Sequence, residues 1–124
     1  MRLTEVEFEA LVVDVLDGLP AQILDMLDNV DVVIETWPSR AQLDEAELEP
    51  GGTLLGLYEG VPLTARDGGY FLVPPDKITI FKGPIERMCR TRDEVATQVR
   101  VTVIHEIAHH FGIGEQRLDE LGWS

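Results

Sequence analysis

The sequence predicts an α+β fold in which a twisted mixed sheet packs against a long C-terminal helix and an N-terminal helix. Three observations predict it. Capping boxes, Thr4-x-x-Glu7 and Thr91-x-x-Glu94, each open a stretch of helical apolar periodicity. Between them lie compact β-branched or alternating runs, of which Lys77 to Lys82 (KITIFK) is the clearest. The length, 124 residues, suits one hydrophobic core, so residues 1–124 read as a single domain.

The first helix carries Phe8, Leu11, Val12, Val15, Leu16 and Leu19 on one stripe, with Asp14 and Asp17 outside it and Gly18 as its stop. Pro20 opens a second, short helix whose Ile23, Leu24 and Leu27 are expected to face the core. Val30 to Trp37 reads as a strand stopped by Pro38. Ser39 to Gly52 is acidic, ends in Pro50-Gly51-Gly52, and reads as a solvated loop with at most one helical turn.

Thr53 to Tyr58 reads as a second strand, and Glu59-Gly60 as a turn. Val61 to Arg66 is a candidate return strand, edge-like because Pro62 cannot donate a ladder hydrogen bond. Asp67-Gly68-Gly69 is a further turn, and Tyr70 to Val73 a short extended piece before Pro74-Pro75. The long helix is predicted from Arg92 to about Phe111. Val95, Val99, Val103, Ile107 and Phe111 form its core side, and Gly112 its stop. Glu115 to Leu121 follows as one or two helical turns.

Composition narrows the function classes. The formal net charge of −13 repels phosphate backbones and anionic lipid, and only Arg87, Arg90, Arg92 and Arg100 are loosely grouped. Nucleic acid and membrane are therefore not expected partners. No apolar run approaches the roughly 20 residues of a membrane helix, and MRLTEVEFEA lacks the apolar segment of a secretory signal. The expectation is a soluble cytoplasmic protein. The single cysteine, Cys89, reads as a small buried thiol, with a metal-ligand role as its alternative.

The chemistry lies in His105-Glu106-Ile107-Ala108-His109, an H-E-x-x-H sequence on the long helix. Residues four apart share a helix face, so both imidazoles reach one ion, and imidazole suits zinc. Glu106 lies one residue around from His105, where a carboxylate can hold an activated water and act as general base. Gly112 can take a left-handed conformation and turn the chain back toward the metal. Glu115 is then the first candidate for the third ligand, with Asp119 or Glu120 as alternatives if the chain runs on into a second helical segment. His110 points away from His109 and is expected beside the site or on the surface.

Residues 105 to 123, HEIAHHFGIGEQRLDELGW, resemble the small bacterial metallopeptidase-like family of minimal zincins. The resemblance extends to LLGLYEGVPLTAR, residues 54 to 66, and KITIFKGPIE, residues 77 to 86. The pattern H-E-x-x-H-x-x-G-x-x-(H or D) falls on His105, Glu106, His109, Gly112 and Glu115. Glu115 stands where family members commonly carry Asp, one methylene shorter, and no methionine follows His109 to form a Met-turn. The resemblance implies a zincin-like fold, zinc as cofactor and a peptidase-like site. It also implies an extended peptide or unfolded-protein substrate pairing with an edge strand, for which Leu54 to Tyr58 is the candidate. Two rivals compete with the hydrolase. One is a non-catalytic zinc-binding or interaction domain on the same ligands. The other is a metal-dependent ribonuclease resembling the rRNA-maturation endoribonucleases, which the acidic balance and the glutamate beside His105 disfavour.

Overall fold

The computed structural model describes residues 1–46, 48, 52–60 and 75–123. Among these residues the elements are α1 (Glu5–Asp17), α2 (Ala21–Met26), β1 (Val30–Glu35), α3 (Arg40–Glu45), β2 (Gly56–Glu59), β3 (Asp76–Phe81), α4 (Lys82–Met88), α5 (Arg92–His110) and α6 (Glu115–Leu121). The expected return strand at Val61 to Arg66, the turn at Asp67-Gly68-Gly69 and the extended piece at Tyr70 to Val73 lie outside the described residues.

The described sheet has the order β1-β3-β2. β1 runs parallel to β3, with Val30 opposite Asp76 and Glu35 opposite Phe81. β2 runs antiparallel, with Gly56 opposite Ile80 and Glu59 opposite Lys77. β3, paired on both sides, is the central strand. Its Ile78 and Ile80 are fully buried in the main core with Phe8, Leu11 and Val12 of α1 and Val95, Val99, Val103 and Ile107 of α5. Each such side chain taken from water contributes about 1.5–3 kcal/mol. A smaller cluster of Leu54, Leu57 and Phe81 packs under Leu43 and Ala46, at the α3 end of the chain. The result is the expected α+β architecture, a small mixed sheet with six helices among the described residues.

Both helix starts follow the predicted chemistry. The Thr4 and Thr91 hydroxyls accept from the Glu7 and Glu94 amides, and the two glutamates reciprocate. These caps satisfy main-chain donors that the first turn leaves without helical partners. The structure also corrects several local expectations. α5 ends at His110, and Phe111 is its C-cap, 51% exposed rather than in the core. Leu24 is likewise exposed, while Ile23 is fully buried. Residues 40 to 45 form a helix rather than a loop, because Ser39-x-x-Gln42 is itself a capping box. β2 begins three residues later than expected and takes in Glu59, and α4 follows β3 without a linker.

α4 also anchors the chain start. The Leu3 amide donates to Glu86, whose other oxygen holds Lys82 at 2.9 Å. No helix among the described residues is long and apolar enough to cross a membrane.

Candidate metal and catalytic site

The H-E-x-x-H segment occupies the last turns of α5, and the end of that helix decides what can face it. Gly112 adopts φ 75°, the left-handed region expected of it. Its amide donates to the His109 carbonyl, and the Ile113 amide donates to the Ala108 carbonyl at 2.7 Å. This is a Schellman closure, which satisfies the last helical carbonyls while reversing the chain. α6 then starts at Glu115, its first residue lying beside the imidazoles.

Glu115 Oε1 lies 3.6 Å from His105 Nδ1 and 4.0 Å from His109 Nε2. The two rings stand 6.3 Å apart between centroids. Asp119 has no described contact with either ring, and Glu120 is turned to Arg117 at 3.2 Å. Of the three carboxylates weighed from the sequence, the fold therefore brings Glu115 to the histidine pair. Cys89 is buried at the far end of α4, in the core.

Among the described residues no group of three or more His, Cys, Asp and Glu side chains is placed to hold a metal ion. By chemical type the donor set suits zinc. Two imidazoles and a carboxylate are ligands zinc accepts, and donor atoms about 2.0–2.1 Å from a tetrahedral zinc lie about 3.4 Å from one another. The observed separations from Glu115, 3.6 and 4.0 Å, are wider, and the imidazole centroids stand 6.3 Å apart, so the three side chains are not at ligand spacing as they stand.

Glu106 faces a different neighbour. Its Oε1 accepts the main-chain N–H of Tyr58 at 3.0 Å. The pairing explains why that amide is available. The Phe81 amide donates to the Leu55 carbonyl, so Leu55 and, by alternation, Leu57 and Glu59 direct their main-chain groups toward β3. Gly56 and Tyr58 direct theirs outward. Among the described residues β2 lies at one edge of the sheet, near the site as expected, and one of its outward donors is taken by Glu106. Burial pushes the Glu106 carboxyl above the usual range. The Tyr58 amide and the neighbouring His109 and His105 oppose that shift.

Tyr58, His110, Asp76 and Gly56 fasten this arrangement, and of these Asp76 and Gly56 carry no role in the sequence analysis. The Tyr58 ring stacks on His110, with centroids 3.8 Å apart. Its hydroxyl donates to Asp76 Oδ2 at 2.7 Å, and His110 Nε2 lies 3.9 Å from the same oxygen. His110 therefore stands beside the site, tying the end of α5 to β2 and β3. Gly56 permits the close approach of α5, since a Cβ there would lie 2.5 Å from Thr102 Cγ2. A glycine inside an apolar strand is the one sequence signal that could have announced this contact.

A groove of about 450 Å³ runs along this junction, between Leu54 and Leu55 on one side and Val101 and Thr102 on the other, reaching His105 and Glu106. Its walls are largely aliphatic, and its chemistry-bearing groups sit at one end.

Comparison with known proteins bears on the family and the fold. The family model described as zincin-like metallopeptidase matches residues 27–123. A conserved hypothetical protein from Thermo thermophilus has a similar fold, with a TM-score of 0.58 and 24% identity over 88% of this chain and 94% of that one. None of the curated proteins matches. The matched span contains the histidine pair, Glu106 and Glu115, and the chain belongs to the zincin-like metallopeptidase family.

Proposed function

We propose that the protein is a zinc-dependent hydrolase of peptide amides, with His105, His109 and Glu115 as metal ligands and Glu106 as general base. The observation that carries this reading is the approach of Glu115 to both imidazoles across the Gly112 reversal. Zinc, when bound, supplies a Lewis acid for the scissile carbonyl and lowers the pKa of water to about 7.

The remaining work falls to the chain. Glu106 accepts the proton of the attacking water and passes it to the leaving amine. Its hold on the Tyr58 amide fixes one oxygen against β2, and no described residue donates to the other. The aliphatic groove beside it accommodates apolar side chains of an extended substrate. With the Tyr58 donor engaged, such a substrate pairs with β2 elsewhere along its outer edge or displaces that bond.

The test is metal analysis together with cleavage of a broad peptide library by wild type and Glu106→Gln. The variant is expected to keep zinc and lose about 10²- to 10⁴-fold in rate. Equal cleavage by both proteins overturns the mechanism. A second reading, a non-catalytic zinc-binding domain on the same residues, draws on the 62% side-chain exposure of both His109 and Glu115. Zinc-loaded wild type that cleaves no peptide favours it.

A further inference from the structure

At the opposite edge of the sheet, away from the histidine pair, α1 overhangs β1 and leaves a second groove of about 450 Å³. Its apolar lining comes from Val12, Val13 and Leu16 on the helix and Val32 and Ile34 on the strand. Val13 is 51% exposed, an apolar side chain left half in water beside the groove; Val6, on the same helix, is exposed as well.

β1 has β3 as its only strand neighbour among the described residues. In a parallel pair, alternate residues direct their N–H and C=O groups away from the partner. Among the described residues the outer edge of β1 thus offers main-chain donors and acceptors along the groove, the pattern that strand addition uses.

Charge identifies the occupant. Glu5, Glu9 and Glu35 line the same groove. No described cation pairs with any of them, and the lysine that shares the lining, Lys82, is held by Glu86 at 2.9 Å. A second copy of the chain would bring the same carboxylates and its own net charge of −13 against them. An anionic lipid surface or a nucleic acid is repelled for the same reason.

We infer that the α1–β1 groove binds an extended peptide segment of alternating apolar and basic residues, added as a strand to the outer edge of β1. Six residues match the length of β1, which spans about 20 Å. Alternate side chains then point to opposite faces. The set directed under α1 meets Val13, Leu16 and Ile34, with Glu5 and Glu9 further along the same helix, and the set on the other face lies beside Glu35. This surface is separate from the zinc site and does not depend on hydrolysis.

The probe is the acetylated, amidated peptide (Lys-Val)3, titrated into the full chain carrying Glu106→Gln and stripped of metal, so that cleavage and metal binding play no part. Amide chemical shifts locate the site and anisotropy of a labelled peptide gives the affinity. Saturable binding that shifts the amides of Val32 to Glu35 and of Val13 to Leu16 is expected. Glu5→Lys with Glu9→Lys, both on the exposed face of α1, is expected to weaken it about tenfold. Methylating the peptide nitrogens at alternate residues is expected to abolish it.

Several outcomes overturn the inference. Shifts confined to Leu54–Tyr58 and α5 would place the peptide in the other groove. Equal binding of the methylated peptide would reduce the effect to charge attraction. Equal binding of (Glu-Val)3 would remove the role of the carboxylates. Concentration-dependent shifts of the same amides without peptide would make the occupant a second copy. Absence of saturable binding at millimolar peptide would leave no such site.

Discussion

The main-chain N–H of Tyr58, on β2, donates to Oε1 of Glu106, on the long helix, at 3.0 Å. This bond fixes the carboxylate of the H-E-x-x-H segment to the sheet rather than leaving it on a free helix face. It exists because α5 and β2 approach closely where Gly56 meets Thr102, one turn of helix before Glu106.

Gly56→Ala tests that approach. The added Cβ would stand 2.5 Å from Thr102 Cγ2 and 3.2 Å from the Thr79 carbonyl oxygen. The strand must move off the helix, at an expected cost of about 1–3 kcal/mol. Thr102→Ser deletes the offending methyl, so the double variant is expected to recover most of the loss. Denaturant unfolding of the four proteins measures it, and additive losses would contradict the proposed contact.

The third ligand and the chain reversal are linked. Wild type is expected to bind about one zinc per chain. Glu115→Ala is expected to weaken zinc binding strongly, and Asp119→Ala much less. Gly112→Ala has open space for its methyl but must hold φ 75°. The strain costs about 1–2 kcal/mol. If that strain shifts the start of α6, zinc affinity falls as well. Competition with a chromophoric chelator reads all three, and undiminished binding in Glu115→Ala would remove Glu115 from the ligand set.

Thr79 lies at the centre of β3, fully buried, and its hydroxyl has no hydrogen-bond partner among the described residues. An unpaired buried hydroxyl costs about 1–3 kcal/mol. Thr79→Val keeps the branched shape and removes the hydroxyl, so it is expected to raise the melting temperature. A lower Tm would mean that the hydroxyl is satisfied in solution.

Glu7 gives a pH-dependent expectation. The Thr4 amide, then the Thr4 hydroxyl, hold its carboxyl below the usual range in the folded chain, with a smaller contribution from Arg92. A carboxyl whose folded pKa is depressed adds stability above its unfolded value and loses it as pH falls through the folded value. Glu7→Gln preserves the amide geometry of the cap and removes the charge. Its Tm is expected to lie below wild type at neutral pH and to converge with it as pH falls below about 4. A constant difference across that window would exclude the charge as the cause.

The sequence by itself determined the elements whose signals are local. Thr4-x-x-Glu7 and Thr91-x-x-Glu94 place two helix starts, KITIFK places the central strand, and Gly112 places the reversal after His109, because capping, alternation and left-handed backbone depend on residues a few positions apart. Ser39-x-x-Gln42 is equally legible and marks α3, although the surrounding carboxylates read as loop. The i, i+4 histidines likewise need only helical geometry to share a face. The tertiary structure decided which distant groups meet. Sequence left Glu115, Asp119 and Glu120 as alternatives, and the direction in which α6 departs from Gly112 brings Glu115 to the rings. Nothing local to Glu106 names the Tyr58 amide 48 residues away as its partner, nor Asp76 as the oxygen between Tyr58 and His110. Those contacts follow from strand order and helix packing, where a main-chain amide becomes a donor to the site only because β3 occupies the other side of β2.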